Sequence, residues 1–182
     1  MPRLFVALAL PETVRTELVA LAEPLAGAAW APADNLHLTL RFIGEVSEAR
    51  GEELAEALAT VHVEPFILSP TGMGAFPTRG PARVVWAGFG TAHPRLFQLR
   101  KRVDDALLRV EPGLDVSTFH PHVTLARLGR EYDPRELARY LARRSESEGA
   151  PFRVNEFHLM ASELRPGVAP RYRSVRRFAL GE

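Results

Sequence analysis

The chain has 182 residues, of which 46% are hydrophobic and 25% are charged, and its net charge at pH 7 is +1. These fractions are those of an ordinary globular protein and exclude a disordered chain. No apolar run approaches the ~20 residues of a membrane-spanning helix, and the absence of cysteine excludes disulfides and thiol catalysis. We therefore expect a cytoplasmic protein that does not bind membranes.

The first part of the chain predicts three strands that alternate with two helices. The apolar run at residues 3–10 predicts a buried strand, and the proline that closes it opens a helix. A second strand is predicted at residues 36–43, and Ser47 caps the helix that follows. A short strand at residues 66–69 comes next. Residues 70–81 are dense in glycine and proline, which predicts a crossover loop between two halves.

The second part of the chain repeats this order of elements and adds one strand. Its predicted elements are strands at residues 83–89, 119–128, 152–162 and 172–180, and helices from Pro94 to about Pro112 and from Asp133 to about Ser147.

Two short motifs of the form His-x-Thr-x occupy equivalent places in this order. They are His37-Leu38-Thr39-Leu40 and His122-Val123-Thr124-Leu125. Alternate side chains of a strand share a face, so each histidine lies beside its threonine while the residues between them enter the core. The histidines are 122 − 37 = 85 residues apart, and the same offset carries Phe66 to the neighbour of Phe152. The element order therefore indicates an internal duplication.

The duplication favours one fold class over another. Strands separated by helices are usual in doubly wound parallel sheets, but no glycine-rich turn follows a strand at the spacing that nucleotide-binding folds use. We predict an α+β fold of two pseudo-symmetric lobes, each an antiparallel or mixed sheet with two helices. The halves would be residues 1–70 and 83–180 of one domain, 1–182, packed sheet to sheet, with the motif strands facing a central cleft.

Two imidazoles and two hydroxyls that converge on one cleft are suited to a phosphate group. Because histidine titrates near neutrality, one neutral imidazole can accept a proton while a protonated one supplies a proton to a leaving oxygen. Threonine hydroxyls can donate hydrogen bonds to nonbridging phosphate oxygens. We therefore predict an acid and base pair of His37 and His122, with Thr39 and Thr124 binding the phosphate.

Three further residues are candidates for substrate binding. Arg41 lies four residues after His37, so a regular strand places it on the same face. Arg127 lies five residues after His122 and therefore on the opposite face, unless a bend at the strand end swings it over the cleft. Phe42 is a candidate for stacking a base.

A metal site is the alternative interpretation of the same histidines. His120 and His122 share a strand face, and His37 can supply a third ligand, as in zinc hydrolases. However, Asp34 and Glu45 are the only carboxylates within a few residues of either motif. We therefore predict a reaction without metal or cofactor, with His120 flanking the site.

The residues around the motifs resemble a known family. Residues 32–46 closely resemble the first signature of the two-histidine phosphoesterases, in the branch of RNA 2′,3′-cyclic phosphodiesterases, also called 2′-5′ RNA ligases. Residues 119–127 resemble the second signature, and residues 162–178 resemble the C-terminal strand pair of that branch. The turn at residues 168–169 looks about one residue longer than usual. The resemblance covers nearly the whole chain.

The resemblance implies a two-lobed α+β fold and metal-independent opening of a terminal 2′,3′-cyclic phosphate on RNA, which leaves a 2′-phosphate. It implies that His37 donates a proton to the departing 3′ oxygen and that His122 accepts a proton from water. Thr39 and Thr124 would hold the phosphate, assisted by Arg127. The implied partners are RNA ends, tRNA-like or of oligonucleotides, and we expect a monomer. In reverse, such an enzyme joins a cyclic phosphate end to a 5′ hydroxyl.

Two other functions stay open. A phosphodiesterase of the same superfamily can act on small molecules, such as a cyclic ADP-ribose phosphate or a 2′-5′ oligoadenylate. A noncatalytic protein can bind RNA ends, but binding alone needs no acid and base pair, so the intact histidines of both motifs argue against it. Comparing RNA with mononucleotide cyclic phosphates distinguishes the small-molecule alternative.

Overall fold

The structure is a computed structural model that describes residues 3–115, 118–163 and 170–181. Its elements follow the predicted order, with additional short strands at Ala28–Trp30 and Met73–Phe76 and with the strand predicted at residues 152–162 divided into two. They are β1 (Arg3–Ala9), α1 (Glu12–Val19), β2 (Ala28–Trp30), a 3-10 helix (Ala33–Asn35), β3 (His37–Glu45), α2 (Glu48–Leu58), β4 (Phe66–Leu68), β5 (Met73–Phe76), β6 (Val84–Gly88), α3 (Pro94–Val110), β7 (His122–Leu128), α4 (Pro134–Arg144), β8 (Phe152–Val154), β9 (Glu156–Glu163) and β10 (Arg171–Ala179).

Local sequence signals begin three of the helices. The Ser47 hydroxyl accepts a hydrogen bond from the Arg50 amide at 3.2 Å and caps α2. The Asp133 carboxylate accepts one from the Arg135 amide at 2.8 Å and caps α4. A proline occupies the start of α3, where no intrahelical amide hydrogen bond is lost. The predicted Ser47 and Asp133 caps are therefore confirmed.

The strands form one antiparallel sheet of eight strands and one of two strands. The large sheet has the order β10-β9-β1-β3-β7-β6-β5, with β2 paired to β7, and the small sheet joins β4 to β8. One lobe consists of β10, β9, β1 and β3, and the other of β7, β6, β5 and β2. The predicted α+β class with antiparallel sheets is confirmed.

The two motif strands, β3 and β7, are neighbours in the large sheet. Their register consists of one antiparallel residue pair, Leu38 with Val123, which we call the central pair. Both side chains are 0% exposed and belong to the main core. The prediction that the lobes pack sheet to sheet is therefore wrong. The lobes meet edge to edge, a choice that periodicity along the chain cannot reveal because both arrangements bury the same alternate residues.

Strands from both parts of the sequence enter each lobe. β9 and β10 extend the lobe that begins with β1, and β2 adds to the lobe of β7. The proposed halves, residues 1–70 and 83–180, stay a prediction. The predicted longer turn at residues 168–169 lies outside the described residues.

The predicted crossover loop at residues 70–81 contains a strand, β5, which pairs with β6. The glycines of this stretch predicted a loop rather than a strand, because glycine usually marks a turn. Gly74 has a different role, since a Cβ atom there would lie 2.2 Å from the Trp86 ring. Glycine is needed at this position because an indole covers the backbone.

The core lies between the large sheet and its helices. On α3, the buried residues recur at helical spacing, and they are Leu96, Leu99, Arg100, Val103, Ala106 and Leu107. The residues between the motif histidines and threonines join the same core. Across the described part of the chain, the structure contains no helix with the length and apolarity needed to span a bilayer.

Candidate active site

The central pair arranges the motif side chains in a square. Because β3 and β7 run antiparallel, Thr39 lies across from His122. In the same register, His37 lies across from Thr124. All four side chains line one cleft with a volume of about 590 Å³, within the usual range for a small-ligand site. The structure thus brings together the four residues that the two motifs predicted as one site.

Each imidazole is held by a backbone carbonyl two residues earlier in the chain. His37 Nδ1 lies 2.8 Å from the Asn35 carbonyl oxygen, and His122 Nδ1 lies 2.7 Å from the His120 carbonyl oxygen. Since a carbonyl can only accept, Nδ1 is the protonated nitrogen of each ring. Nε2 of each ring is left for the cleft, where it is an acceptor when the ring is neutral and a donor when it is charged.

Burial is the main influence on both rings. It lowers the pKa of His37 below the ordinary 6.5, the hydrogen bond to Asn35 opposes the shift, and charge on His122 lowers the pKa further. Burial likewise lowers the pKa of His122, against its hydrogen bond to His120, whose charge adds to the lowering. The free site therefore holds both rings mainly in the neutral form at pH 7.

Aromatic side chains fix the orientation of the rings. The His37 ring packs against Phe5 and Tyr172, with a centroid distance of 5.0 Å to each, and those two rings also contact each other at 5.3 Å. The His122 ring meets Phe76 edge to face at 5.1 Å. Sequence reasoning missed Phe5 and Tyr172 as site residues, because β1 and β10 reach the cleft only through sheet pairing. Trp30 of β2 also lines the cleft.

Each motif strand has a β-bulge at the residue after its threonine. The register of β3 with β1 slips by one residue at Leu40, and the register of β7 with β6 slips in the same way at Leu125. The offset is 125 − 40 = 85 residues, equal to that of the histidines. A slip of one residue exchanges the faces of the side chains beyond it. The next residue to face the cleft is therefore Phe42 in one strand and Arg127 in the other.

The prediction that Arg41 shares the face of His37 is wrong, and the bulge is the reason. Arg41 is 4% exposed, and its Nη1 lies 3.5 Å from Asp104 Oδ1 on α3. Phe42, in contrast, is 72% exposed in the cleft. Arg127 also lines the cleft, although a regular strand predicts the opposite face.

A metal site would need the side chains of His37, His120 and His122 to lie close together. Among residues 3–115, 118–163 and 170–181, no three histidine, aspartate or glutamate side chains are grouped closely enough to hold a metal ion. The ring of His120 lies 6.1 Å from that of Phe76, at the edge of the aromatic contacts around His122. The predicted third ligand, His37, is not gathered with these two histidines.

Comparisons with known proteins agree with the duplicated order. A family model described as LigT-like phosphoesterase matches the chain twice, at residues 8–86 and 90–169. A protein of Archaeoglobus fulgidus named RNA 2′,3′-cyclic phosphodiesterase is 34% identical over 179 residues, which are 97% of this chain and 99% of the relative. The crystal structure of Escherichia coli LigT in apo form has a TM-score of 0.81 and 30% identity, covering 100% of this chain and 99% of that one. The same enzyme complexed with 3′-AMP gives a TM-score of 0.79 and 30% identity, with both chains covered completely.

The imidazoles themselves provide a test of this geometry. Since the pKa of each ring is lowered, the protonated forms of His37 and His122 should appear only as the pH falls below about 6.5. Above their midpoints, both rings should show the tautomer with the proton on Nδ1. Proton–nitrogen correlation spectra recorded between pH 4 and pH 9 measure both properties. Titration of either ring above the ordinary value, or a proton on Nε2 of the neutral form, would contradict the described contacts.

Proposed function

We infer the function of this cleft from one premise: the chain belongs to the LigT-like phosphoesterase family. It is a cyclic phosphodiesterase, as are the curated relatives named RNA 2′,3′-cyclic phosphodiesterase that match most of its length. We propose that it opens the terminal 2′,3′-cyclic phosphate of RNA to a 2′-phosphate, with His37 and His122 as acid and base.

One observation carries this proposal. Two imidazoles face one cleft, and each holds its Nδ1 proton on a backbone carbonyl, so each presents Nε2 to the same ligand. Opening a cyclic phosphodiester needs a base for the attacking water and an acid for the leaving oxygen. Both groups are present within one chain and in equivalent settings, which supports action as a monomer.

The proposed reaction is an in-line displacement at phosphorus. Nε2 of neutral His122 takes a proton from water as the water oxygen bonds to phosphorus. The bond between phosphorus and the 3′ oxygen breaks, and protonated His37 gives its Nε2 proton to that oxygen. The product is a ribose with a 3′ hydroxyl and a 2′-phosphate. Before the next cycle His122 releases a proton to solvent and His37 takes one up.

The assignment of donor to His37 has support in its surroundings. Its ring packs against Phe5 and Tyr172, which restrict its orientation in the cleft. The His122 ring lies in a more open part of the cleft, where water can approach. An anionic phosphate bound between the rings favours their protonated forms, so substrate binding supplies the acid that the free site holds only in small amount.

The hydroxyls and Arg127 would bind the phosphate. Thr39 and Thr124 stand diagonally between the imidazoles and can donate to the two nonbridging oxygens, whose charge grows in the transition state. Arg127 lines the same cleft and adds a positive charge that can make paired hydrogen bonds to phosphate. Phe42, exposed at the other end of the arrangement, would pack against the terminal nucleoside.

A second candidate is a reaction on small nucleotides. The E. coli LigT structure complexed with 3′-AMP shows that a relative with this fold binds a mononucleotide. A cleft of about 590 Å³ also has room for a nucleotide without further RNA. 2′-5′ ligation is a further proposal for the same cleft. When a 5′ hydroxyl replaces water, His122 takes the proton of that hydroxyl, His37 gives a proton to the leaving 3′ oxygen, and a 2′-5′ phosphodiester forms. The cytoplasm is the compartment we propose, in accord with RNA as substrate.

The direct test is an assay with purified protein and an oligoribonucleotide that ends in a 2′,3′-cyclic phosphate, in the presence of excess EDTA. We expect a 2′-phosphate product, because two imidazoles suffice for the proton transfers. Adenosine 2′,3′-cyclic phosphate is the matched small substrate. A higher kcat/KM for the mononucleotide would favour the second candidate, and activity that EDTA removes and zinc restores would favour metal catalysis.

Substitution of the histidines tests their joint action. His37→Ala and His122→Ala should each lower kcat by about 10²- to 10⁴-fold, the usual contribution of a general acid or base. The double variant should lose less than the product of the two factors, because the residues act in one displacement. Initial rates with the cyclic phosphate oligonucleotide measure all three. Near-normal activity of His37→Ala beside an inactive His122→Ala would contradict the two-imidazole mechanism.

Arg127 can be compared with an arginine three residues further along the chain. Arg127→Ala should lower kcat/KM by about 10- to 100-fold, the effect of one hydrogen bond to a charged group. Arg130 is exposed in the turn that follows β7, and Arg130→Ala is the matched control. It should keep kcat/KM within about twofold, since only screened, long-range charge is lost. Equal losses in both variants would remove Arg127 from the phosphate site.

A further inference from the structure

We propose that Arg100 of α3 is a positioning residue for this active site. It lies behind the sheet, holds the Leu40 bulge in place and thereby fixes the motif strand that presents His37, Thr39 and Phe42. The proposal rests on the proposed function of the cleft, since it concerns how precisely the phosphate-binding groups are held.

The bulge leaves a backbone group that the strand ladder does not satisfy. Leu40 is the extra residue of β3, between the pairs that join Thr39 and Arg41 to β1. A buried carbonyl without a partner is costly. The guanidinium of Arg100, which is 7% exposed, donates from Nη1 to the Leu40 carbonyl oxygen. One side chain from α3 therefore satisfies the group that the bulge frees.

A shared carboxylate connects both sides of the bulge. Asp104 accepts from Arg100 Nε at 2.7 Å, and its other oxygen lies 3.5 Å from Nη1 of Arg41. Arg41 is the residue directly after Leu40. The cluster of Arg100, Asp104 and Arg41 thus holds the carbonyl of one residue and the side chain of the next. Three mostly buried charges are costly to assemble and are better explained by fixing one geometry than by adding stability.

Arg100 also contacts the approach to the second motif. Its guanidinium carbon lies 5.2 Å from the centroid of the Phe119 ring. Phe119 directly precedes His120, whose carbonyl orients His122. A single side chain therefore touches the segments that hold both imidazoles.

The bulge in β7 has a different partner for its carbonyl group from the bulge in β3. In β7 the Leu125 carbonyl accepts from the Ala31 amide at 2.8 Å, so β2 provides the partner. In the first copy the Leu40 carbonyl, at the equivalent place, accepts from the Arg100 guanidinium. We therefore expect the first motif to depend on a side chain that can be removed without altering the cleft lining.

The test compares Arg100→Met with Lys101→Met. Methionine keeps the length of the side chain and removes the guanidinium. Lys101 is the matched control, because it pairs with Asp105 at the same helical spacing but on the exposed face. Arg100→Lys restores a single donor. Two experiments are done well below the melting temperature of each variant. The first measures the affinity for inorganic phosphate from the Hε1 signals of His37 and His122. The second measures kcat and KM for the cyclic phosphate oligonucleotide.

Arg100→Met should lower kcat by about 10-fold or more and weaken phosphate binding by about threefold or more, because small displacements of reacting groups are costly. Lys101→Met should leave kcat and the phosphate affinity within about twofold of the wild type, and Arg100→Lys should recover part of the loss. A lower melting temperature of Arg100→Met with phosphate affinity and kcat unchanged would overturn the proposal and leave a structural role.

A variant that does not fold and a failure of the proposed function give different results. If Arg100→Met does not fold, Arg100→Lys and Asp104→Asn are measured in the same way, and wild-type phosphate affinity and kcat in both would overturn the proposal. If the wild-type protein binds phosphate but does not open the cyclic phosphate, the proposed function fails. The phosphate affinities of the variants then still decide whether Arg100 positions the site.

Discussion

The antiparallel pairing of Leu38 with Val123 is the contact on which the rest of the site depends. It joins the two lobes into one sheet and places each motif histidine across from the threonine of the other motif. A slip of one residue would turn the polar side chains of one strand into the core. That slip is opposed by the core itself, because both members of the pair are fully buried. The apolar residues between histidine and threonine are therefore what keeps the polar residues in register.

The paired bulges make the two halves of a duplicated scaffold different, as the asymmetric substrate proposed for the cleft requires. Both motif strands slip at the residue after the threonine, and the positions beyond the bulges carry Phe42 in one copy and Arg127 in the other. A nucleoside phosphate has one apolar, stacking part and one charged part. In the proposed complex the backbone symmetry would bring the two histidines and two threonines around phosphorus, and Phe42 and Arg127 distinguish one end of the cleft from the other. Different partners, Arg100 and Ala31, satisfy the two bulged carbonyls.

The same enclosure that orders the imidazoles also changes their protonation. Burial lowers the pKa of His37 and of His122, so the free cleft contains little positive charge on its histidines. A bound phosphate favours the charged form of both rings, so binding and protonation are linked. The acid of the proposed reaction is thus prepared by the substrate, in a cleft whose lining carries the permanent charges of Arg3 and Arg127.

The order of the main elements, the helix caps at Ser47 and Asp133 and the two histidine–threonine pairs could all be predicted from the sequence, because each depends on neighbours within a few residues. The resemblance of the motifs to the two-histidine phosphoesterases added the reaction class. Strand β5 was missed because Gly74 serves the close approach of an indole from another strand. The face of Arg41 and the packing of His37 against Phe5 and Tyr172 became clear only from the folded chain. A bulge and a sheet neighbour are set by pairing between distant strands, so a face counted along one strand holds only while that pairing is regular.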